Sequence, residues 1–109
     1  MKVIKRDGRV VDFDREKISI AIQKANKEVV PKERATKEDI RIITKYIEEL
    51  DKKRILVEDI QDIIEIRLMA LGKYKLAKAY ITYRYTRELV RRSNTTDLSI
   101  KELINGENV

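Results

Sequence analysis

The stretch VIKRDGRVVDFD, residues 3–14, decides how the chain begins to fold. Two short apolar runs flank the Asp7-Gly8 pair. Such a pair between apolar runs is a strong hairpin signal, because a type I′ turn needs positive φ at both central positions. The stretch therefore predicts an N-terminal β-hairpin with Asp7 and Gly8 at its tip.

Pairing about a two-residue turn fixes the predicted neighbours across the hairpin. It places Arg6 opposite Arg9, Lys5 opposite Val10 and Ile4 opposite Val11. Like charges that face each other across two strands repel. A bound anion would relieve that repulsion, and solvation would relieve it to a smaller extent.

Two amphipathic helices are predicted directly after the hairpin. Asp14 is the expected N-cap of the first helix, and Pro31 ends it because the residue before a proline avoids the α region. Thr36 and Asp39 resemble a capping box that opens a second helix through about Asp51. The apolar positions recur at helical spacing. They are Ile18, Ala21, Ile22, Ala25 and Val29 in the first helix, and Ile40, Ile43, Ile47 and Leu50 in the second.

A short strand and two more helices complete the predicted order. Residues 54–57 form a β-branched run typical of a strand. Glu58 or Asp59 opens a third helix, with Gly72 as its C′ residue, and a fourth helix runs over about 73–92. The inward positions are Ile60, Ile63, Ile64 and Leu68 in the third helix, and Leu76, Ala77, Tyr80 and Ile81 in the fourth.

This order predicts an α+β fold that is mostly helical. A small three-stranded sheet, made of the hairpin and one short strand, caps a four-helix cluster, because each helix has a single apolar stripe to bury. Residues 1–92 form the predicted domain. Residues 93–109 are polar, and we interpret them as a linker that leads into a domain outside this chain.

Composition excludes several classes of chemistry. The 109 residues include no cysteine and no histidine, which excludes disulfides, Cys/His zinc sites, cysteine nucleophiles and histidine general bases. The acidic residues are scattered over charged helix faces, so a carboxylate pair for acid–base catalysis is not indicated. No apolar run approaches the ~18 residues of a membrane span, and the charged start does not resemble a secretory signal. We therefore expect a cytoplasmic protein with no membrane partner.

The excess positive charge lies in two segments far apart in sequence. The formal net charge is +6; residues 1–9 hold four bases against one acid, and residues 73–92 hold seven bases against one acid. If the fold brings these segments together, they form one anion site. Two separately solvated faces are the alternative.

A phosphate would have to be held by side chains and a helix N-terminus, because there are only three glycines and no glycine-rich phosphate loop. Lys17, in the first turn of the first helix, opposes the helix dipole, and a nearby phosphate would explain it. Arg84, Arg87 and Arg91 share one face of the fourth helix. For Arg84 and Arg91 we favour exposed ion pairs, which contribute little.

Four tyrosines, Tyr74, Tyr80, Tyr83 and Tyr85, lie among the bases of the fourth helix. Aromatic and basic residues together can bind single-stranded nucleic acid by stacking. Tyrosines at helical spacing are more typical of a core or of a half-buried face, so we consider a nucleic-acid partner the weaker interpretation.

Four stretches resemble the ATP-cone family in order and spacing. Residues 3–9 (VIKRDGR) followed by 13–18 (FDREKI) resemble its opening signature, and residues 57–65 and 79–87 resemble its second half. The resemblance spans about residues 2–92. ATP-cones are regulatory domains that bind ATP or dATP, mostly at the N-terminus of ribonucleotide reductases.

The resemblance implies an allosteric sensor rather than an enzyme in its own right. ATP would permit, and dATP suppress, the activity of a catalytic body that is the chain's main partner, and exposed cone surfaces would mediate an oligomer. Residues 97–106 resemble the segment after the cone in anaerobic ribonucleoside-triphosphate reductases, which implies that glycyl-radical class. A nucleic-acid-binding module and a docking domain that no longer binds nucleotide are the alternatives. Magnesium can accompany the triphosphate, although no protein cage for it is evident.

The resemblance also implies a set of nucleotide-binding residues. They are Val3, Ile4, Lys5, Arg6, Asp14, Lys17, Val57, Gln61 and Arg87. Lys5, Arg6 and Arg87 would meet phosphates, Lys17 would support the phosphate or ribose end, and Asp14 would lie near the adenine. Val57 and Gln61 would face the sugar and phosphates.

Two positions depart from the pattern of some family members. Val11 replaces an acidic residue that can contact the base, and Gln61 replaces a histidine.

Overall fold

The computed structural model describes residues 1–95 and has the predicted α+β architecture, with four helices and one three-stranded sheet among those residues. In chain order the elements are β1 (Lys2–Ile4), β2 (Val10–Asp12), α1 (Arg15–Asn26), a 3₁₀ turn (Pro31–Glu33), α2 (Lys37–Glu48), β3 (Arg54–Leu56), α3 (Val57–Ala70) and α4 (Tyr74–Thr95).

β1 is the central strand of the sheet. It pairs antiparallel with β2 and parallel with β3, so the order is β2-β1-β3. Val3 lies opposite Val11 on one side and Ile55 on the other. Val3 and Ile55 are both buried, and the sheet therefore contributes apolar side chains to the core.

The predicted register of the hairpin is wrong by one residue. Ile4 pairs with Val10 rather than Val11. The loop spans residues 6–8, closed by hydrogen bonds from Lys5 N to Arg9 O (2.8 Å) and from Gly8 N to Lys5 O (2.9 Å). Only Gly8 in this loop has positive φ (89°). A three-residue loop with a single left-handed residue replaces the type I′ turn, because it needs one glycine rather than two permissive positions.

The new register separates the two arginines that were expected to face each other. Arg9 Nε donates to Asp7 Oδ2 at 2.7 Å, so its charge is paired within the loop. Arg6 turns instead toward the helices. Arg6 and Arg9 therefore do not face each other, and Lys5 is the cation that lies across from Arg9.

α1 begins as predicted, because the Asp14 side chain accepts a hydrogen bond from Glu16 N (3.0 Å). It ends at Asn26, before the predicted boundary at Pro31. The Asn26 side chain then joins α1 to the following loop: its amide nitrogen donates to Ala35 O and its oxygen accepts from Ala35 N, both at 3.0 Å.

α2 opens with the predicted capping box of Thr36 and Asp39, in which each side chain bonds the other residue's backbone N–H. It ends at Glu48, earlier than the predicted Asp51. Asp51 itself adopts a left-handed conformation (φ 53°) that a continuing helix would not allow.

α3 starts at Val57, so both predicted openings, Glu58 and Asp59, are slightly late. The helix follows β3 directly and has no side-chain cap, so no capping residue marks its first position. Gly72 is the C′ residue with φ 76°, as predicted.

α4 extends past the predicted end at Arg92 to Thr95. Tyr80 is buried, whereas Tyr74 (65%) and Tyr85 (62%) are exposed, so the core interpretation fails for these two tyrosines. Ile81 was expected to point inward and is 40% exposed. Most of the predicted linker, including the segment 97–106 that resembles the anaerobic reductases, lies outside the described residues.

The core lies between the four helices and the sheet. α4 packs against α1 and α3, and α2 packs against the same two helices and buries Ile43 and Ile47. The fully buried large side chains are Ile22, Ile43, Ile47, Ile64, Leu68 and Leu76. Across residues 1–95, no helix has the length and apolar character of a membrane span.

Candidate functional site

A cavity of about 390 Å³ lies where the hairpin meets three helices. Val3 and Val11 contribute from the sheet, Ile18 from α1, Ile60 from α3 and Tyr80 from α4. Its base is therefore apolar and continuous with the core.

The rim of the cavity is strongly basic. Two acidic side chains lie there, Asp12 and Asp14. The basic lining residues are Lys5, Lys17, Lys24, Arg84, Arg87 and Arg91. The two basic segments predicted from the sequence thus meet at one cavity, and the alternative of two separate solvated faces is wrong.

Lys5 is a partly buried cation of the cavity that lies among other positive charges. Partial burial lowers the pKa of its ammonium group below the usual value, and the charges of Arg91, Lys17 and Arg9 lower it further. Asp7 partly opposes this shift. A charged group in such surroundings favours an anion nearby, because the anion would offset the repulsion.

Two helices begin at the cavity. Lys17 lies in the first turn of α1, and Val57 is the first residue of α3; both line the cavity. The positive ends of both helix dipoles therefore face the same space. Backbone and side chains combine there to favour negative charge.

Arg84 forms the ion pairs predicted for it. Its Nη1 lies 2.9 Å from Asp62 Oδ1 and 2.7 Å from Glu65 Oε1, so its charge is balanced within the protein. Only 19% of its side chain is exposed, so the pair is more buried than predicted. Arg91 is exposed, as expected, and it also lines the cavity, which was not expected.

Seven of the residues implied by the resemblance line the cavity together, and two do not. The seven are Val3, Lys5, Asp14, Lys17, Val57, Gln61 and Arg87. Ile4 and Arg6 are not among the lining residues. The Arg6 Nη1 lies 3.3 Å from both Glu58 Oε1 and Glu88 Oε1, and its Nη2 donates to Gln61 Oε1 at 3.2 Å.

Sequence reasoning missed several lining residues on the side of α1 and α4. Phe13, Ala21 and Tyr83 line the cavity with Lys24, whose ammonium lies 5.9 Å from the centre of the Tyr83 ring. A signal for Lys24 was present: it follows Lys17 by two helical turns and therefore shares its face. For Phe13 and Tyr83 the sequence offered only an apolar or aromatic pattern typical of a core.

Within residues 1–95, no group of three or more carboxylates comes together as a metal site.

Comparison with known proteins identifies the family to which the chain is similar. The model of the ATP cone domain matches residues 1–89. The chain is 38% identical to the ribonucleoside-diphosphate reductase subunit alpha of Chlamydia trachomatis, in a match that covers 100% of the chain and 12% of that protein. It is 42% identical to the vitamin B12-dependent ribonucleoside-diphosphate reductase of Thermoplasma acidophilum, over 83% of the chain and 12% of that protein.

An anaerobic reductase is also similar. The anaerobic ribonucleoside-triphosphate reductase of Haemophilus influenzae is 36% identical over 98% of the chain and 15% of its own length. The chain therefore spans less than a sixth of each of these relatives.

Proposed function

The chain belongs to the ATP-cone family, and from that premise we propose that it binds ATP or dATP in the cavity and regulates a ribonucleotide reductase of which it is part. The observation that carries this proposal is the meeting of Lys5, Lys17 and Arg87 at one cavity. The hairpin, α1 and α4 supply one of these cations each. The catalytic body of the reductase is the proposed partner, in the cytoplasm, and cone surfaces mediate the proposed oligomer.

The cavity suits a nucleoside triphosphate in size and charge. Its volume of about 390 Å³ lies within the range of small-molecule sites. Lys5, Lys17 and Arg87 are placed to receive the phosphates, since ammonium and guanidinium groups bind phosphate oxygens through charge-assisted hydrogen bonds. The apolar base accommodates the uncharged part of the ligand.

Asp14 provides a basis for choosing adenine. One of its oxygens, Oδ1, accepts the hydrogen bond that caps α1. The other can accept from the 6-amino group of adenine, which is a donor, whereas guanine has an acceptor oxygen at the same position. We therefore propose that Asp14 favours ATP and dATP over GTP.

The switch between ATP and dATP depends on a single 2′-hydroxyl. The two ligands can shift a conformational equilibrium in opposite directions only if that hydroxyl changes their relative affinity for two states. A coupling of ~1–3 kcal/mol is sufficient. ATP then permits and dATP suppresses activity in the parent reductase.

We further propose a class for the parent enzyme, which is an anaerobic ribonucleoside-triphosphate reductase. The similarity to the Haemophilus influenzae reductase extends over 98% of the chain, and residues 97–106 resemble the segment that follows the cone in that class. Similarity to reductases of other classes supports only the shared regulatory role.

Calorimetric titration with ATP, dATP, GTP and AMP tests the proposal. We expect saturable binding of ATP and dATP, weaker binding of GTP, and a weak response to AMP, which has lost most of the phosphate charge. Bound ligand also raises the melting temperature by linkage. A single-stranded oligonucleotide serves as the comparison. If it binds tightly with a steep salt dependence while ATP does not bind, the chain is a nucleic-acid-binding module instead.

A further inference from the structure

Arg6 lies beside the cavity and reaches three side chains on two helices. Its guanidinium contacts Glu58 and Gln61 on α3 and Glu88 on α4, at 3.2 to 3.3 Å. Only 29% of its side chain is exposed, and 21% of that of Glu88. This cluster joins the hairpin loop to both helices.

The two carboxylates already balance the charge of Arg6. For the guanidinium to bind a phosphate in the cavity, it would have to give up its contacts with Glu58 and Glu88. The phosphate would then lie near both carboxylates, of which Glu88 keeps a second cation, Arg92 Nη2, at 3.0 Å. Lys5, the adjacent residue, lines the cavity and forms no such ion pair with a carboxylate of residues 1–95.

The contact with Gln61 fixes the chemistry that Gln61 presents to the cavity. An arginine side chain has donors and no acceptor, so only the carbonyl oxygen of the amide can face it. The Gln61 Oε1 does accept from Arg6 Nη2. Gln61 lines the cavity, and no described residue accepts a hydrogen bond from its Nε2.

We propose that Arg6 is a positioning residue that orients the Gln61 amide, so that the Nε2 group donates to an acceptor oxygen of the bound nucleotide. Glu58 and Glu88 hold Arg6 in place for this role. The inference rests on the proposed function and deepens it. It assigns to Arg6 an action through Gln61 rather than direct contact with phosphate.

A double-mutant cycle on ATP affinity separates the two roles. The variants are Arg6→Met, Gln61→Ala and the pair together, with Arg9→Met as a control that removes one positive charge from the same loop. We expect Arg6→Met and Gln61→Ala each to weaken ATP binding about fivefold, which is the effect of losing one hydrogen bond to the ligand. The double variant should bind about as weakly as Gln61→Ala alone, because Arg6 has nothing left to orient. Arg9→Met should stay within about twofold of the wild-type affinity, since Arg9 makes neither contact.

Independent, multiplicative losses would overturn the inference, because they would mean that Arg6 contacts the ligand itself. If the wild-type chain does not bind ATP at all, the proposed function fails, and this inference fails with it. The two failures are therefore distinguishable.

A second variant covers the case in which Arg6→Met unfolds the chain. Gln61→Glu keeps an acceptor toward Arg6 and replaces the donating nitrogen by a carboxylate oxygen. We expect it to weaken ATP binding at least about tenfold, because a donor is lost and a negative charge is added near the phosphates. Wild-type affinity in Gln61→Glu would contradict the inference.

Discussion

Lys5 on the hairpin and Arg87 on the last helix line the same cavity, although they lie near opposite ends of the described chain. The central position of β1 in the sheet brings the first of them there, and the packing of α4 against α1 and α3 brings the second. The fold thus assembles a basic cavity from segments that share no local motif.

Lys17 should have opposite effects on stability and on binding. Its ammonium lies at the N-terminus of α1, where the helix dipole disfavours a cation. We expect Lys17→Gln to raise the free energy of unfolding by about 0.3–1 kcal/mol and to weaken ATP binding about tenfold. Chemical denaturation and calorimetric titration measure the two quantities.

The matched control is Lys37→Gln. Lys37 is the first residue of α2 and does not line the cavity. It should give a similar gain in stability with no change in ATP affinity. Equal effects of both variants on ATP affinity would contradict the role assigned to Lys17.

Binding of ATP should be linked to proton uptake at Lys5. Burial and then Arg91, Lys17 and Arg9 lower the pKa of Lys5 below 10.5. A bound triphosphate raises that pKa again, so ATP affinity should fall as pH rises through the lowered pKa of the free chain. Titrations in buffers of different ionisation enthalpy measure the protons taken up. Lys5→Arg is the control, since a guanidinium does not titrate in this range and proton uptake should disappear.

The lowered pKa of Lys5 also makes the stability of the chain without ligand depend on pH. The unfolded chain binds the Lys5 proton more tightly than the folded chain does. The contribution of Lys5 to the free energy of unfolding should therefore increase as pH rises from its lowered pKa toward 10.5. A decrease over that range, measured relative to Lys5→Arg, would contradict the assignment.

Asn26 should be important for stability and not for binding. Its amide makes two hydrogen bonds with the backbone of Ala35, both part-buried. We expect Asn26→Ala to lower the free energy of unfolding by about 1–3 kcal/mol, because a donor and an acceptor of the backbone lose their partners. Urea denaturation measures this change. A loss of ATP affinity without a loss of stability would contradict this prediction.

Ile22 tests the position of the core. It is completely buried on α1, and we expect Ile22→Ala to cost about 2–5 kcal/mol of stability. Ile42 on α2 is 48% exposed, and Ile42→Ala should cost less than about 1 kcal/mol. Similar losses in both variants, measured by denaturation, would contradict the assigned burial.

Much of the helical architecture was predictable because its signals are local. Asp14, the Thr36–Asp39 capping box and Gly72 each act within a few residues of the boundary they mark. The start of α3 was placed slightly late because no side chain caps it and β3 leads directly into it. Local signals cannot report a boundary that tertiary packing sets.

The hairpin loop and the cavity depended on long-range contacts. The Asp7-Gly8 pair predicted a hairpin correctly, but the three-residue loop moved Arg6 away from Arg9 and toward Glu58 and Glu88. Those carboxylates belong to helices that the local sequence of the hairpin does not reveal.

The burial of the tyrosines in α4 could not be predicted from local sequence either. Tyr80, Tyr83 and Tyr85 share a basic, tyrosine-rich helix, yet Tyr80 is buried, Tyr83 is half-buried beside Lys24 and Tyr85 is exposed. Only the packing of α4 against its neighbours separates these positions.

The most direct measurement is the ATP affinity of Lys5→Ala and Arg87→Ala by calorimetric titration, with Lys75→Ala on an exposed turn of α4 as the control. We predict that each of the first two variants weakens ATP binding by about tenfold or more, since each removes a charge-assisted contact with a phosphate. Lys75→Ala should bind as the wild-type chain does, because Lys75 does not line the cavity. Unchanged ATP affinity in both Lys5→Ala and Arg87→Ala would contradict the account.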